Sequence, residues 1–336
     1  MNSRKTFYRR PKREDVARLA GVSSATVSYV LNNSPKPVTE ETRKKVLLAV
    51  QQLGYKPHAF ARGLKTGNTC TIGLVIPVVA SSGMAYLASI VQDELLLHGY
   101  QVIMANAHED PEREKDLLEV LSAQPVDGMI VSPASLYETR RFDQIIDFGI
   151  PLVFMDRYAQ GVNADRVTTD NISATRYATN YLIGQGCQKI LILSFSMVAS
   201  SALERLDGFR QAMSMQGIPV ETNQILVIRD PNGDSIERTV LEHIGHHGFP
   251  DGVLCTTQEL GINFVRALQH QGIPIPNKKV VIFDADWAEL LSPPIPVIKQ
   301  NLHSMASTAV RLLIDRLNGS AYPPQVILCE AEKIHY

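Results

Sequence analysis

Apolar residues recur at helical spacing in three short stretches near the start of the chain. From residue 71 onwards they gather instead into short continuous runs. In Arg13–Ala20 (REDVARLA), the apolar residues Val16, Ala17, Leu19 and Ala20 fall on one helical face. Gly21 suits the left-handed conformation that ends a helix, and Ser23 is placed to cap the next one. That second helix, SATVSYVLN, carries Ala25, Val27, Val30 and Leu31 on its apolar side. A third is predicted after Thr39. Thr39 caps it, Glu40 and Glu41 face the positive end of its dipole, Val46, Val50 and Leu53 point inward, and Pro57 is the expected stop. Two short helices joined by a Gly-containing turn make a helix-turn-helix. A generic three-helix bundle has the same periodicity.

The later runs read as strands: IGLVIP (72–77), QVIMA (101–105), GMIVS (128–132), PLVFMD (151–156), KILILS (189–194), QILVI (224–228), GVLC (252–255) and VVIFDAD (280–286). Amphipathic segments of helix length separate them, which predicts a parallel, doubly wound α/β design. The repeated strand–helix count suggests two similar lobes. Between the two regions, YKPHAFARGLKTGNT (55–69) has the Pro, Gly and basic content of a linker. On composition alone it is a flexible tether.

Charge sharpens this division. Residues 1–65 hold 14 Lys or Arg against four acids, a balance of +10, while the remainder is −11. A basic head on an acidic body is expected where one part meets a phosphate backbone. The basic residues are interleaved with periodic apolar ones, which argues against a mere disordered tail. The exposed side of the second helix carries Ser24, Ala25, Thr26, Ser28, Tyr29 and Asn32, short or hydrogen-bonding groups suited to a major groove. The four cysteines have no metal-like spacing and read as reduced thiols. Neither a signal peptide nor a membrane span is legible. A soluble, cytoplasmic protein is therefore expected.

At DVARLAGVSSATVSYVLN, followed by VTEETRKKVLLAVQQLGYKPHAFARGLKTGNTCTIGLVIP, the chain resembles the lactose/galactose repressor family of bacterial transcription regulators. SYVLN is similar to its fructose- and sucrose-responsive branch. The resemblance implies an all-α helix-turn-helix domain over 1–54, a hinge helix over 55–69, and a two-lobed, periplasmic-binding-protein-like sensor over 70–336. It implies that Ser24, Ala25 and Tyr29 read bases and that Thr26, Ser28 and Asn32 touch phosphates. Tyr29 stands where Arg is commoner. In the hinge, Ala61, Arg62, Leu64 and Lys65 match the segment that enters the minor groove, with Leu64 as the wedge. Three crossings between lobes are expected near Val167–Asn171, Val297–Asn301 and Gln325–Leu328. That gives one lobe of about 70–168 with 301–324, and another of about 169–298 with 326–336.

Ligands in open α/β sheets bind at the carboxyl ends of strands. Asp156, Arg157 and Asp284 end runs of this kind, and Arg205 lies in ERLDGF. The resemblance places Asp156, Arg205 and Asp284 on effector-contacting positions. Ser82, in the loop expected to wall the cleft, and Thr257 and Gln300 complete the candidate set. Carboxylates and guanidinium groups pair well with sugar hydroxyls. Where family members commonly carry Asn-Asp, this chain has Cys255-Thr256, which hints at a sugar or phosphosugar held with help from Arg157 and Arg205. No cofactor is implied. No GxGxxG, P-loop, HExxH or GxSxG is present, so nothing points to an enzyme. HIGHHG (243–248) has spacing that could hold a metal, but no completing Cys or carboxylate lies nearby. A plain sugar-binding protein would not need the basic module, and an architectural DNA-binding protein would not need a cleft. The expectation is a homodimeric, effector-controlled repressor that binds double-stranded operator DNA and no membrane.

Overall fold

Helix α1 (Arg13–Ala20) begins where the Asp15 carboxylate turns back to accept the Lys12 backbone N–H at 2.8 Å, and ends at Gly21 with φ 66°. A computed structural model describes residues 11–31, 36–55, 68–195, 198–276 and 279–335, which fold as two units, Met1–Thr69 and Cys70–Tyr336. Ser23 Oγ caps α2 (Ser24–Leu31) by accepting the Thr26 N–H at 3.1 Å. Thr39 caps α3 (Glu40–Leu53) by accepting the Thr42 N–H at 3.3 Å. Val16, Ala17, Val27, Val30, Val46 and Ala49 form the core of this unit.

Three details differ from the sequence reading. Helix α3 stops at Gly54, with φ 59°, before Pro57 is reached, because the left-handed cap closes the last carbonyls first. Leu19, expected inward, is 50% exposed, since the 3.6-residue period carries it past the edge of the buried stripe. Tyr55, assigned to the hinge, is buried in the three-helix core, its N–H bonded to the Val50 carbonyl at 3.0 Å.

The second unit contains two six-stranded sheets. The first runs β11-β5-β4-β3-β1-β2, built from β1 (Thr71–Ile76), β2 (Gln101–Asn106), β3 (Gly128–Val131), β4 (Leu152–Met155), β5 (Asp165–Thr169) and β11 (Val326–Cys329). The second runs β12-β10-β9-β8-β6-β7, from β6 (Ile190–Ser194), β7 (Ile225–Val227), β8 (Gly252–Cys255), β9 (Val280–Phe283), β10 (Val297–Lys299) and β12 (Glu332–His335). Neighbours are parallel except β10 and β12. The two orders are the same pattern used twice: β4 corresponds to β9, and β5 to β10. Strand alternation puts Ile72, Leu74 and Ile76 against α4 (Ser82–Leu97) and α11 (Leu302–Leu317). Val75 turns to the face of α5 (Pro111–Ala123) and α6 (Arg140–Asp147). In the second sheet, Ile190 and Ile192 face α7 (Asn171–Gly184) and α8 (Ser200–Met215). Leu191 and Leu193 face the layer of α9 (Gly233–His247) and α10 (Gln258–His270).

The chain crosses between sheets after β5, after β10 and after β11. The third crossing falls after Cys329, later than the expected Gln325–Leu328. Strand β11 pairs with β5 from Val326 to Cys329 and so belongs to the first lobe, not the second. A short apolar run has no local mark of which sheet it will join. Among the described residues, no helix is long and apolar enough to cross a membrane.

Candidate effector cleft and nucleic-acid interface

On α2, burial of Val27 and Val30 leaves Ser24, Ala25, Thr26, Ser28 and Tyr29 at least partly exposed. Thr26 Oγ1 lies 2.9 Å from the capping Ser23 Oγ. Lys36 Nζ donates to the Tyr29 hydroxyl at 3.1 Å and sits 4.8 Å from its ring centroid. A cation is thus held beside the residue that departs from the commoner Arg. Asn32, Ala61, Arg62, Leu64 and Lys65 lie outside the described residues.

In the second unit, the two sheets end in equivalent acids. Asp156 follows β4 with φ 67°, and Asp284 follows β9 with φ 55°. Each N–H is fixed by the adjacent strand region, Asp156 to the Val167 carbonyl and Asp284 to the Ile298 carbonyl, both at 2.9 Å. Non-glycine residues in this region of backbone space often mark functional sites. Asp156 is 6% exposed, and among the described residues its carboxylate accepts no hydrogen bond; Arg157 Nε lies 3.7 Å away. Burial raises its pKa, opposed by the charges of Arg157 and Arg205. Asp284 is also raised by burial, opposed chiefly by Arg205. Its two oxygens accept from Gln300, the backbone N–H at 2.9 Å and Nε2 at 2.5 Å. Gln300 Oε1 in turn accepts from Thr169 Oγ1 at 2.6 Å, joining equivalent positions of the two crossings.

Arg205 acts electrostatically on both acids. It is 6% exposed, and its guanidinium lies 4.3 Å from the centre of the Phe283 ring. Its Nε donates to Asn171 Oδ1 at 2.8 Å and its Nη1 to the Thr256 carbonyl. Burial lowers its pKa, opposed by Asp284 and then Asp156. Asn171 Nδ2 donates to Glu204 at 2.9 Å, and Glu204 accepts from the Tyr158 hydroxyl at 2.9 Å. Tyr158 belongs to the first lobe and Glu204 to the second. The Leu136 N–H also bridges lobes, to the Val198 carbonyl at 2.7 Å, as does the Tyr158 N–H to Ser200 Oγ at 3.0 Å.

Asp156, Arg157, Arg205, Asp284 and Gln300 therefore form one polar cluster. Ser82 opens α4 and accepts from Gln258 Nε2 across the lobes. Thr257 caps α10 by accepting the Leu260 N–H at 3.3 Å. The expected help of Arg157 in holding a phosphate meets an obstacle. Arg157 is gripped by Glu109 through both carboxylate oxygens, at 2.7 and 3.0 Å. Glu109, Asn171, Glu204 and Tyr158 went unnoticed in the sequence; only the position of Glu204 beside Arg205 was a usable signal. The His243 and His247 rings are 4.8 Å apart, but among the described residues no group of three or more His, Cys, Asp or Glu is placed to hold a metal.

Residues 14–58 match the family model for bacterial regulatory proteins, lacI family, and residues 179–336 match a periplasmic binding protein-like domain. The HTH-type transcriptional regulator RegA of Clostridium saccharobutylicum is 32% identical over 308 residues, covering 91% of this chain and 92% of that protein. The chain belongs to the lacI family. The HTH-type transcriptional repressor PurR of Vibrio cholerae is 31% identical, with 93% of each chain covered. A transcriptional regulator CelR–cellobiose complex superposes with TM-score 0.71 at 27% identity, covering 97% of this chain and 99% of that one. A lac repressor dimer bound to operator and an anti-inducer has TM-score 0.82 over 98% of each chain; at 22% identity it speaks for the fold. This lacI-family chain is a DNA-binding transcriptional regulator with an effector-binding domain, and its matched relatives are regulators.

Proposed function

We propose that the chain represses transcription as a homodimer on a pseudo-palindromic operator in the cytoplasm, and that a sugar bound between its lobes sets its operator affinity. The observation that carries this is the cluster of buried Asp156 and Arg205 with half-buried Asp284 and Gln300, built by both lobes at the carboxyl ends of β4 and β9. Asp156 offers an open acceptor, and Arg205 a charged donor, to hydroxyl groups. Arg157, Ser82 and Thr257 complete the wall. Cellobiose in the CelR relative supports a sugar as the ligand class.

On DNA, Ser24, Ala25 and Tyr29 read base edges, while Thr26, Ser28 and Asn32 fix the helix on phosphates. The hinge, 55–69, carries Ala61, Arg62, Leu64 and Lys65 into the minor groove, where Leu64 unstacks a base step. Effector binding acts on the contacts that bridge the lobes, Tyr158 with Glu204 and Ser82 with Gln258. By linkage, effector and operator alter each other's affinity by one shared factor. The reading assigns the protein no catalysis.

A thermal-shift screen against free sugars and sugar phosphates, followed by operator titration with each hit, tests this. A stabilising hit that also changes operator affinity is expected. Hits that stabilise without changing operator affinity would overturn the regulatory coupling.

A further inference from the structure

Glu109 is presented by a forced piece of backbone. His108 and Glu109 both have φ 57°, two consecutive non-glycine residues in the left-handed region. Neighbouring contacts hold them there. The Glu109 N–H donates to the Pro77 carbonyl at 2.8 Å, and the His108 N–H to Asn106 Oδ1 at 3.3 Å. Arg113 Nε donates to the Asn106 carbonyl at 3.1 Å. The product is the two-oxygen grip on Arg157. Such over-determined strain persists where a side chain has to be delivered to one place.

The charges around the cleft give that grip a meaning. Two guanidinium groups, Arg157 and Arg205, stand among Glu109, Asp156, Glu204 and Asp284. Arg157 has Glu109 as its fork partner and Asp156 beside it. Arg205 lies within electrostatic reach of Asp284, Asp156 and Glu204. A phosphate needs an arginine fork not already matched to a carboxylate. The Arg157 fork is matched in this way, and Arg205 Nε and Nη1 are already taken by Asn171 Oδ1 and the Thr256 carbonyl. Hydroxyl groups have no such need, because a carboxylate and a paired guanidinium still accept and donate.

Resting on the sugar-effector reading above, we infer that Glu109 is a specificity-determining residue: by occupying the Arg157 fork it restricts the cleft to uncharged, polyhydroxylated effectors and closes it to phosphorylated ones. The acid is selected by position, not by sequence neighbourhood, and its removal would turn Arg157 into an anion site.

The test uses the full chain as wild type, Glu109→Gln and Glu109→Asp, with circular dichroism confirming that each is folded. Inorganic phosphate, fructose 1-phosphate, fructose 6-phosphate and glucose 6-phosphate are titrated by calorimetry beside fructose, sucrose and cellobiose. Wild type and Glu109→Asp should reject every phosphorylated probe and inorganic phosphate. Glu109→Gln should gain at least tenfold for inorganic phosphate or a hexose phosphate, more than any change for the neutral sugars. Inorganic phosphate makes this arm independent of which sugar is the natural effector. A wild type that binds a hexose phosphate more tightly than its neutral parent would overturn the inference while leaving a sugar effector in place. So would a folded Glu109→Gln that gains nothing for any phosphorylated probe. Failure of every neutral and phosphorylated sugar on wild type counts against the sugar-effector reading itself, and the specificity assignment falls with it.

Discussion

Asp156 and Asp284 end equivalent strands with similar left-handed backbones, yet their carboxylates are used differently. Asp284 is bonded through both oxygens to Gln300, whereas Asp156 accepts no hydrogen bond among the described residues. Asp156 is therefore the better recognition group and Asp284 the better anchor. Arg205 serves both roles, and its substitutions should show it. Arg205→Ala strips Asn171 Oδ1 and the Thr256 carbonyl of their donor and removes the positive charge beside Asp156, and should cost about 1–3 kcal/mol of stability, along with the effector response. Arg205→Lys keeps a charge but loses the fork. It should retain most of the stability while effector affinity falls at least tenfold, read by denaturant titration and calorimetry. Behind the cleft, Glu114 is fully buried and accepts the Ala134 N–H at 2.7 Å. Burial raises its pKa to about 7. The folded state thus holds its proton more tightly than the unfolded chain, so stability declines as pH rises from about 4.5 through about 7. Relative to Glu114→Gln, wild type should lose up to about 1.4 kcal/mol per pH unit in that window. Parallel stability–pH curves for the two proteins would refute the assignment.

Helices α7 and α8 approach so closely at Gly208 that a Cβ there would lie 2.4 Å from the Ile172 carbonyl oxygen and 3.0 Å from Thr175 Cβ. This approach sets α8, and with it Arg205, against Asn171 at the start of α7. Gly208→Ala should destabilise by about 1–3 kcal/mol through overpacking and weaken effector binding by displacing Arg205. Normal effector affinity in that variant would separate the packing from the site. At the other end of the chain, Leu64→Ala should weaken operator binding while leaving effector binding intact; anisotropy and calorimetry report the two separately. The capped helices of the first unit and the strands of the second were largely legible in the sequence. Caps at Ser23 and Thr39, the Gly21 turn and strand periodicity are local signals. Tyr55 and Leu19 were misjudged because burial depends on which neighbours arrive, not on spacing alone.

Across the whole molecule, operator affinity should fall steeply with salt, since neutralised phosphates release counterions. A flat titration would argue against the phosphate contacts proposed for the basic unit. The partition of charge and the division into helical and α/β parts were determined by the sequence itself, because helix periodicity, capping and strand alternation act over a few residues. The identity of the lobe that takes β11, the pairing of Arg157 with Glu109 across 48 positions, and the meeting of Thr169 with Gln300 across 131 were decided by tertiary structure. A charged or polar side chain has many partners of suitable chemistry along the chain. Only the crossings between two similar sheets bring one of them within hydrogen-bonding distance, and only burial then makes that choice costly to reverse.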